Sequence, residues 1–467
     1  MRLSILSATL FCLLVPAHLF GNSPEALPEL VLTDVSEVSY ELTRYLALYV
    51  EDGERRTPPA AIFADDALFT PHAGGDIPNF GFSDRSHWVM LRIRNETTRK
   101  DWRLSFNHPA VDQVRYFLRC PGQDMIRYEA GDQVPQSVWP IRDRRPIFPL
   151  TLEPGARCRI YLNLTSTGST TVPLTLYTPE RMTRILVHEA LIFGSYYGIM
   201  IVIILFNLIL WIRNLDPAYF WNFFFMFIYT LGVPMLNGLA FQYLWPQTPG
   251  LNNMLPTFFF LCMFGLLQFA RIFLNAKVLA PVLDRIMLVI QILIVPLVLA
   301  SLFVEYKYSI LVGSLTFLPV ASLGVITAVY TMVRGYRPAV YYVLGWGAIL
   351  IGILVYALQN FGIVTPNFLT NYGYQIGSVF EALFVSVGIA NRLRILRDEV
   401  RDAQIDLHST RRQQQSQKLH ATRLELEMLK RTIQPHFLLN SLNAAQGWLE
   451  VDPKTPKTPK PQNPSYI

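Results

Sequence analysis

Seven long apolar segments between His188 and Arg392 constrain this chain more than any other feature. They cover 189–212, 218–240, 253–274, 283–304, 309–333, 339–362 and 371–391. A bilayer span needs about 20 predominantly apolar residues, and in hydrocarbon a helix bonds its own backbone polar groups. Seven such runs predict a seven-helix transmembrane bundle over 188–392, with the lipid bilayer as its surroundings. Only 16% of the 467 residues are charged, against about a quarter in a soluble domain. The deficit is local, because 22–187 and 392–467 are ordinarily polar.

The N-terminus and the loop charges set the orientation. Met1 to Gly21 reads as a signal peptide, with Arg2, the apolar run Leu3–Val15, a break at Pro16 and small residues near Gly21. An uncleaved anchor is the alternative, and either one exports the segment that follows. Cys12 follows Phe11, where a lipid-attachment cysteine needs a small residue, so lipoprotein processing is not expected. With the N-terminus exported, loops one, three and five face the cytoplasm. They carry Arg213, then Arg271, Lys277 and Arg285, then Arg334 and Arg337. The opposite loops carry only Lys307 among Lys and Arg, and Arg392, Arg394 and Arg397 follow the last span. The positive-inside rule agrees with the signal peptide. The expected arrangement is an exported N-terminal domain and a cytoplasmic C-terminus. The net charge of +6 lies largely in juxtamembrane and tail residues, so no direct nucleic-acid partner is implied.

Residues 22–187 read as an all-β domain of sandwich or jelly-roll type. Trp88–Arg94, Trp102–Phe106, Val114–Leu118, Arg159–Leu164 and Val172–Tyr177 form short alternating runs, with turns at Glu153-Pro154-Gly155 and Thr167-Gly168-Ser169. Cys120 and Cys158 are the two cysteines of this exported segment, and an oxidising compartment makes a disulfide between them the expectation, with two buried thiols as the alternative. His72, His87 and His108 are scattered and lack metal-ligand spacing, so no metal site is expected. Trp88, Trp102 and Trp139 are expected in the core, with sugar stacking as the other reading. The domain reads as a binding module for a small ligand.

Glu381 is the one acidic residue well inside a span, and an intramembrane carboxylate is a functional candidate. A hydrogen-bonded group facing the bundle is the plainer alternative. Gly345, Gly347 and Gly352 in span six, and Gly373, Gly377 and Gly388 in span seven, suit close helix packing.

Beyond the last span, 393–432 lacks Pro and Gly and predicts a long polar signalling helix. Leu393, Leu396, Val400, Ala403 and Leu407 make a heptad stripe, which fails at Thr410, Gln414 and Gln417 and resumes at Ala421, Leu424 and Met428. Leu419, Leu426, Leu429 and Ile433 lie in a second stripe. A coiled-coil homodimer feeding a helical bundle is expected, with a solvated single helix as the alternative.

The segment Leu429-Lys430-Arg431-Thr432-Ile433-Gln434-Pro435-His436-Phe437-Leu438-Leu439-Asn440-Ser441-Leu442-Asn443 resembles the phosphoacceptor box of LytS-type sensor histidine kinases, with Leu439 in place of the usual second Phe. The resemblance implies that His436 accepts phosphate, that Asn440 and Asn443 match the asparagines of the box, and that a response regulator is the output partner. Phe80-Gly81-Phe82 and Trp88-Val89-Met90-Leu91-Arg92-Ile93-Arg94-Asn95, followed by seven spans, resemble the bacterial seven-transmembrane receptors with diverse intracellular signalling modules (7TMR-DISM). That resemblance implies a jelly roll that binds carbohydrate or a related ligand.

The box occupies 433–452 and is followed by a Pro/Lys-rich tail over 453–467, where the kinase family would continue with a second bundle helix and an ATP-binding domain. The expectation is therefore no cofactor in this chain, with ATP and Mg2+ arriving only with a separate catalytic domain, either because the sequence is truncated or because that domain belongs to another chain. Two rival readings stay open. One is a non-enzymatic receptor that recruits a cytoplasmic partner. The other is a transporter using Glu381, Asn207, Gln268 and Gln291.

Overall fold

A computed structural model describes residues 27–33, 38–51, 57–72, 74–83, 85–360, 364, 368–432 and 435–449. The expected signal peptide, Ile433 and Gln434 of the histidine box, and the Pro/Lys-rich tail lie outside these residues. The chain divides into two units, Met1–Ala390 and Asn391–Ile467.

The first unit begins with thirteen strands and one short helix. In chain order these are β1 (Glu29–Leu32), β2 (Ser39–Glu41), β3 (Leu46–Val50), α1 (Pro59–Ala64), β4 (Thr70–Pro71) and β5 (Asn79–Phe82). Then come β6 (His87–Asn95), β7 (Asp101–Phe106), β8 (Gln113–Arg119), β9 (Ile126–Ala130) and β10 (Ile147–Thr151). The last three are β11 (Arg157–Thr165), β12 (Ser169–Thr171) and β13 (Leu174–Tyr177).

Two larger sheets enclose one core. The first has the order β4-β3-β6-β11-β8-β9, with β1 parallel to the end of β6, and the second is β10-β7-β13-β2. Strand alternation decides which side chains meet. Val89, Leu91 and Ile93 of β6 join Val114, Tyr116 and Leu118 of β8 and Ile160, Leu162 and Leu164 of β11. They pack on Trp102, Leu104 and Phe106 of β7 with Phe148, Leu150, Leu174 and Leu176.

The large sheet is also covered on part of its other face. There Trp88, Met90, Phe117 and Tyr161 pack against Ile62 and Phe63 of α1 and against Phe69. Burial on both faces explains why β6 is buried throughout from His87 to Leu91 and only then alternates, at Arg92 and Arg94. Cys120 and Cys158 are joined in a disulfide with a Cα separation of 4.4 Å. Because Arg119 pairs with Arg159, the two cysteines extend that pairing by one residue on the core face.

The helices are α2 (Pro179–Asn214), α3 (Pro217–Leu236), α4 (Leu239–Tyr243), α5 (Leu255–Phe273), α6 (Ala276–Leu279) and α7 (Pro281–Ala300). After them come α8 (Tyr306–Val333), α9 (Ala339–Asn360), α10 (Phe368–Thr432) and α11 (Pro435–Leu449). Among the described residues six helical stretches are long and apolar enough to cross a membrane: Pro179–Asn214, Pro217–Leu236, Pro249–Phe273, Pro281–Ala300, Tyr306–Val333 and Ala339–Tyr356. They contain the cores of the first six apolar segments. The seventh, 371–391, forms the first part of α10.

Helix α2 starts well before its apolar run, directly after β13. Thr178 stays extended and its hydroxyl accepts from the Arg181 N–H, while Pro179 takes the first helical position, where its missing N–H costs nothing. Asp216 and Pro217 start α3 the same way. Helices α9 and α10 meet along small residues. A Cβ on Gly377 would stand 2.6 Å from the Ala348 carbonyl oxygen, and one on Gly352 would strike the Gly373 carbonyl. A Cβ on Gly388 would lie 2.7 Å from Tyr341 Cβ, whereas Gly347 faces open space and takes no part in the packing.

Candidate functional site

Proline opens α11 and places His436 in its first turn. His436 and Asn440 are four residues apart, so they share a helix face. The Asn440 amide nitrogen lies 2.9 Å from His436 Nδ1. An amide nitrogen only donates, so in this orientation Nδ1 is the acceptor and Nε2 carries the ring proton. The amide can also be turned so that its oxygen accepts from Nδ1–H, which leaves the Nε2 lone pair free. The orientation of the Asn440 amide thus goes with the tautomer of the ring. Both residues are exposed, and so are Phe437, Leu438, Leu439 and Leu442 beside them. The described residues from Arg394 to Arg431 are exposed except for Ile395, and the heptad residues Leu396, Val400 and Leu407 are among them.

Glu381 lies on α10 inside the bundle and is 1% exposed. Its backbone is crossed closely by α9, since a Cβ on Gly345 would stand 3.1 Å from Glu381 Cα. Tyr196 and Tyr342 lie within electrostatic range of the carboxyl. The Tyr196 hydroxyl is 3.1 Å from Ser378 Oγ, one turn before Glu381. Asn207 Nδ2 donates to Ser386 Oγ at 3.0 Å, and Asn222 Nδ2 to Asn207 Oδ1 at 3.1 Å, so amides hold α10 to α2 and α2 to α3.

Gln268 and Gln291 belong to a different cluster. Arg271 donates to both amide oxygens, at 3.0 and 2.9 Å, and to Asp284 at 2.7 Å. These polar groups therefore clamp α5 to α7 rather than gathering around Glu381.

Sequence reasoning missed the contact between the β domain and the bundle. The connection from β9 to β10 lies on the segment between α3 and α5. Asn252 Nδ2 donates to the Asp132 carbonyl (2.7 Å), Gln133 Nε2 to Asn253 Oδ1 (3.1 Å) and the Gln136 N–H to the Pro246 carbonyl (2.9 Å). Trp139 meets Phe241 edge-on, with ring centroids 5.9 Å apart.

Arg144 and Arg145 then converge on Glu189 of α2. Arg144 donates through two nitrogens at 2.9 and 3.2 Å, and Arg145 through one at 2.9 Å. The Arg144 guanidinium also sits 5.3 Å over the Phe193 ring and donates to the Asn237 carbonyl. From the other side the Tyr374 hydroxyl of α10 donates to Asn237 Oδ1 at 2.7 Å. Asn237 is therefore touched by both the β domain and α10. The adjacent Gly238 has φ of +75°, and a Cβ there would collide with the Arg144 carbonyl, so only glycine fits.

Burial in this region shifts two carboxyls. The Asp132 carboxyl is pushed up to about 7 by desolvation, with Asp112 adding to the effect and Gln133 opposing it. Asp143 is also raised by burial, against the pull of Arg145 and Arg144. A signal for this contact was present in the sequence as the run Arg142-Asp143-Arg144-Arg145, but charges are rarely buried and the run reads as a surface turn.

The remaining candidates of the β domain are structural. Trp88 donates to Glu51 at 2.7 Å, Trp139 to the Val134 carbonyl at 2.9 Å, and Trp102 is buried in the core. All three tryptophans are thereby occupied in packing. His87 stacks on Phe80 with ring centroids 4.0 Å apart, and burial beside Arg85 holds its imidazole below the usual range. His72 Nε2 contacts the Asp76 carbonyl at 2.7 Å.

Comparison with known proteins follows the same division. Residues 189–392 match the family described as 7TM diverse intracellular signalling, and residues 37–178 match the family described as 7TMR-DISM extracellular 2. No curated protein gives a match. Across these two segments the chain is a 7TMR-DISM receptor, a membrane protein with an extracellular N-terminal domain.

Proposed function

We propose that this chain is a sensor of histidine-kinase type, in which ligand at a periplasmic jelly roll alters a seven-span bundle and thereby the presentation of His436. The observation that carries the reading is the His436–Asn440 pair at the exposed start of α11. With the Asn440 oxygen on Nδ1–H, Nε2 attacks the γ-phosphorus of ATP held by a kinase catalytic domain. The N–P bond forms, the bond to the β-phosphate oxygen breaks, and ADP leaves. Asn440 is the positioning residue, since it touches only the imidazole.

Several features support the rest of the scheme. The six membrane-type helices and the apolar start of α10 support a reading of seven spans, which in a bacterial inner membrane puts the C-terminus on the side opposite an exported N-terminal domain. The arginines on loops one, three and five favour that orientation. Asn237 receives both Arg144 and Tyr374, so a shift of the β domain bears directly on the helix that continues to Thr432. The exposed stripes after Leu396 suit a second copy of the chain, and a phosphorylated His436 suits transfer to a response regulator.

The test supplies a LytS-type catalytic domain, Mg2+ and labelled ATP to the purified full chain. Acid-labile, alkali-stable label is expected on the wild type and none on His436→Gln. Asn440→Ala is expected to lose about tenfold in rate, with Asn440→Gln only partly restoring it. Equal labelling of wild type and His436→Gln refutes the assignment. In that case the non-enzymatic receptor is the reading left.

A further inference from the structure

We propose that the outer face of the seven-stranded sheet binds a polyanion, a ligand carrying several carboxylate, sulfate or phosphate groups. This names the ligand class for the extracellular domain of the receptor proposed above. It is tested by binding alone, so it stands or falls separately from phosphorylation at His436.

Strand register aligns the arginines. Arg92 of β6 pairs with Arg159 of β11, and Arg159 pairs with Arg119 of β8. Three arginines therefore stand abreast on adjacent strands. One step along the same face, Arg94 pairs with Arg157. The core-facing neighbours Ile93, Cys158 and Leu118 are buried, which puts all five arginines on the opposite side. Neighbouring strands are about 4.8 Å apart, and same-face residues along a strand about 6.8 Å. The guanidinium groups thus spring from a two-row lattice.

Like charges directly opposite each other destabilise a sheet. A shared counter-charge relieves only part of this. Asp66 bridges Arg92 and Arg159, Glu96 pairs with Arg94, and Glu29 lies 3.9 Å from Arg157. Arg119 donates to the Phe63 carbonyl. Among the described residues five arginines thus face three carboxylates, and Arg127, over the Phe117 ring, adds a further cation at the edge. Arg157 and Arg159 keep 63% and 42% of their side chains exposed, so the donors are available. Guanidinium binds oxyacids through paired N–H donors, which a flat lattice can offer repeatedly to one extended ligand.

The disulfide places this lattice firmly. Cys120 and Cys158 follow and precede the Arg119–Arg159 pair, so the cross-link fixes the register that sets these two side by side. A one-residue slip would turn them into the core.

The experiment uses the full chain in phosphatidylcholine nanodiscs, titrated with a sulfated dextran hexasaccharide and with its unsulfated counterpart. Expected are binding of the sulfated sugar that weakens steeply with salt, and none of the neutral one. Arg119→Gln with Arg159→Gln is expected to weaken binding by about tenfold or more. Arg119→Gln alone spares Asp66 and its bridges, and should weaken binding while leaving the thermal midpoint unchanged. Lys100→Gln with Arg103→Gln, at the other sheet, should bind like wild type. Discs containing phosphatidylglycerol separate the two sources of anion. Unchanged affinity for the probe supports the soluble polyanion proposed, and competition by the lipid phosphates overturns it in favour of a membrane surface. Equal binding of the neutral sugar, or full affinity in the double variant, overturns the proposal.

Discussion

The contact between the β domain and the bundle and the helical stretch after Leu396 make opposite use of their side chains. The first pairs Arg144 and Arg145 with Glu189, and Arg145 with Asp143, largely out of solvent and within a single chain. The second leaves Leu419, Leu424, Leu426, Met428 and Leu429 exposed. A buried ion cluster fixes one geometry, because any partner left alone in a low-dielectric site is costly. A solvated apolar stripe fixes nothing until something covers it. The outer contact is thus made within one chain, whereas the tail's apolar stripe is left exposed in it.

Removing the shared anion should break the first region most severely. Glu189→Ala leaves Arg144 and Arg145 with only Asp143 as counter-charge and is expected to cost about 3–5 kcal/mol. Trp139 and Trp245 flank this contact, so tryptophan fluorescence during thermal unfolding reports it. A midpoint within 1 °C of wild type (roughly the scatter of such a scan) would show that the cluster does not hold the domains together. Gly238→Ala is the next largest. Its Cβ would fall on the Arg144 carbonyl at a positive φ, and a loss of about 2 kcal/mol is expected in the same assay.

A pH effect should sharpen the comparison. In the folded chain Asp132 holds its proton up to about 7, whereas the free side chain releases it near 3.8. Between those values the folded state binds more protons than the unfolded one. Stability therefore falls as pH rises through that window and levels off above it. Asp112 and Tyr306 are the neighbours that share this site. Asp132→Asn should flatten the slope between pH 4 and 7 (the window set by the two values above), and an unchanged slope would remove Asp132 as its source.

The smallest effect on the monomer should come from the tail. Leu429→Ser is expected to move monomer stability by less than about 0.5 kcal/mol. Its effect should appear in the oligomeric state, by sedimentation in detergent, if a second copy covers the stripe as proposed.

How far the sequence carried these conclusions depended on the range of the forces involved. Strands β6, β8 and β11 were legible because alternation is local and their core-facing residues are apolar. Strands β1 to β5, β9, β10 and β12 were missed. They are short, and two of them, β4 and β12, are held by only two or three register pairs. The start of α2 at Pro179 could have been read from Thr178-Pro179-Glu180, a cap, a proline and an acidic first turn. Apolar length drew attention to residue 189 instead.

The seven apolar segments and the close approach at Gly345 and Gly377 were legible because span length and small residues are written in the chain. The partners of Glu189 were not. They lie more than forty residues away, and no local pattern tells a buried Arg144 from a solvated one. Asn440 was named from resemblance, but its bond to Nδ1 required the helix geometry.

The cross-link between Cys120 and Cys158 has a consequence for the unfolded chain. It closes a loop with a sequence separation of 38, and that loop contains Asp132, Trp139, Arg144 and Arg145. Tethering a loop of this length removes roughly 4 kcal/mol of conformational freedom from the open ensemble in the chain-entropy description. The stretch that must find α2 and the α3–α5 segment is therefore confined near the base of β8 and β11 before those helices are met. Its search is shorter, and the entropy lost on docking is smaller than for a free chain of equal length.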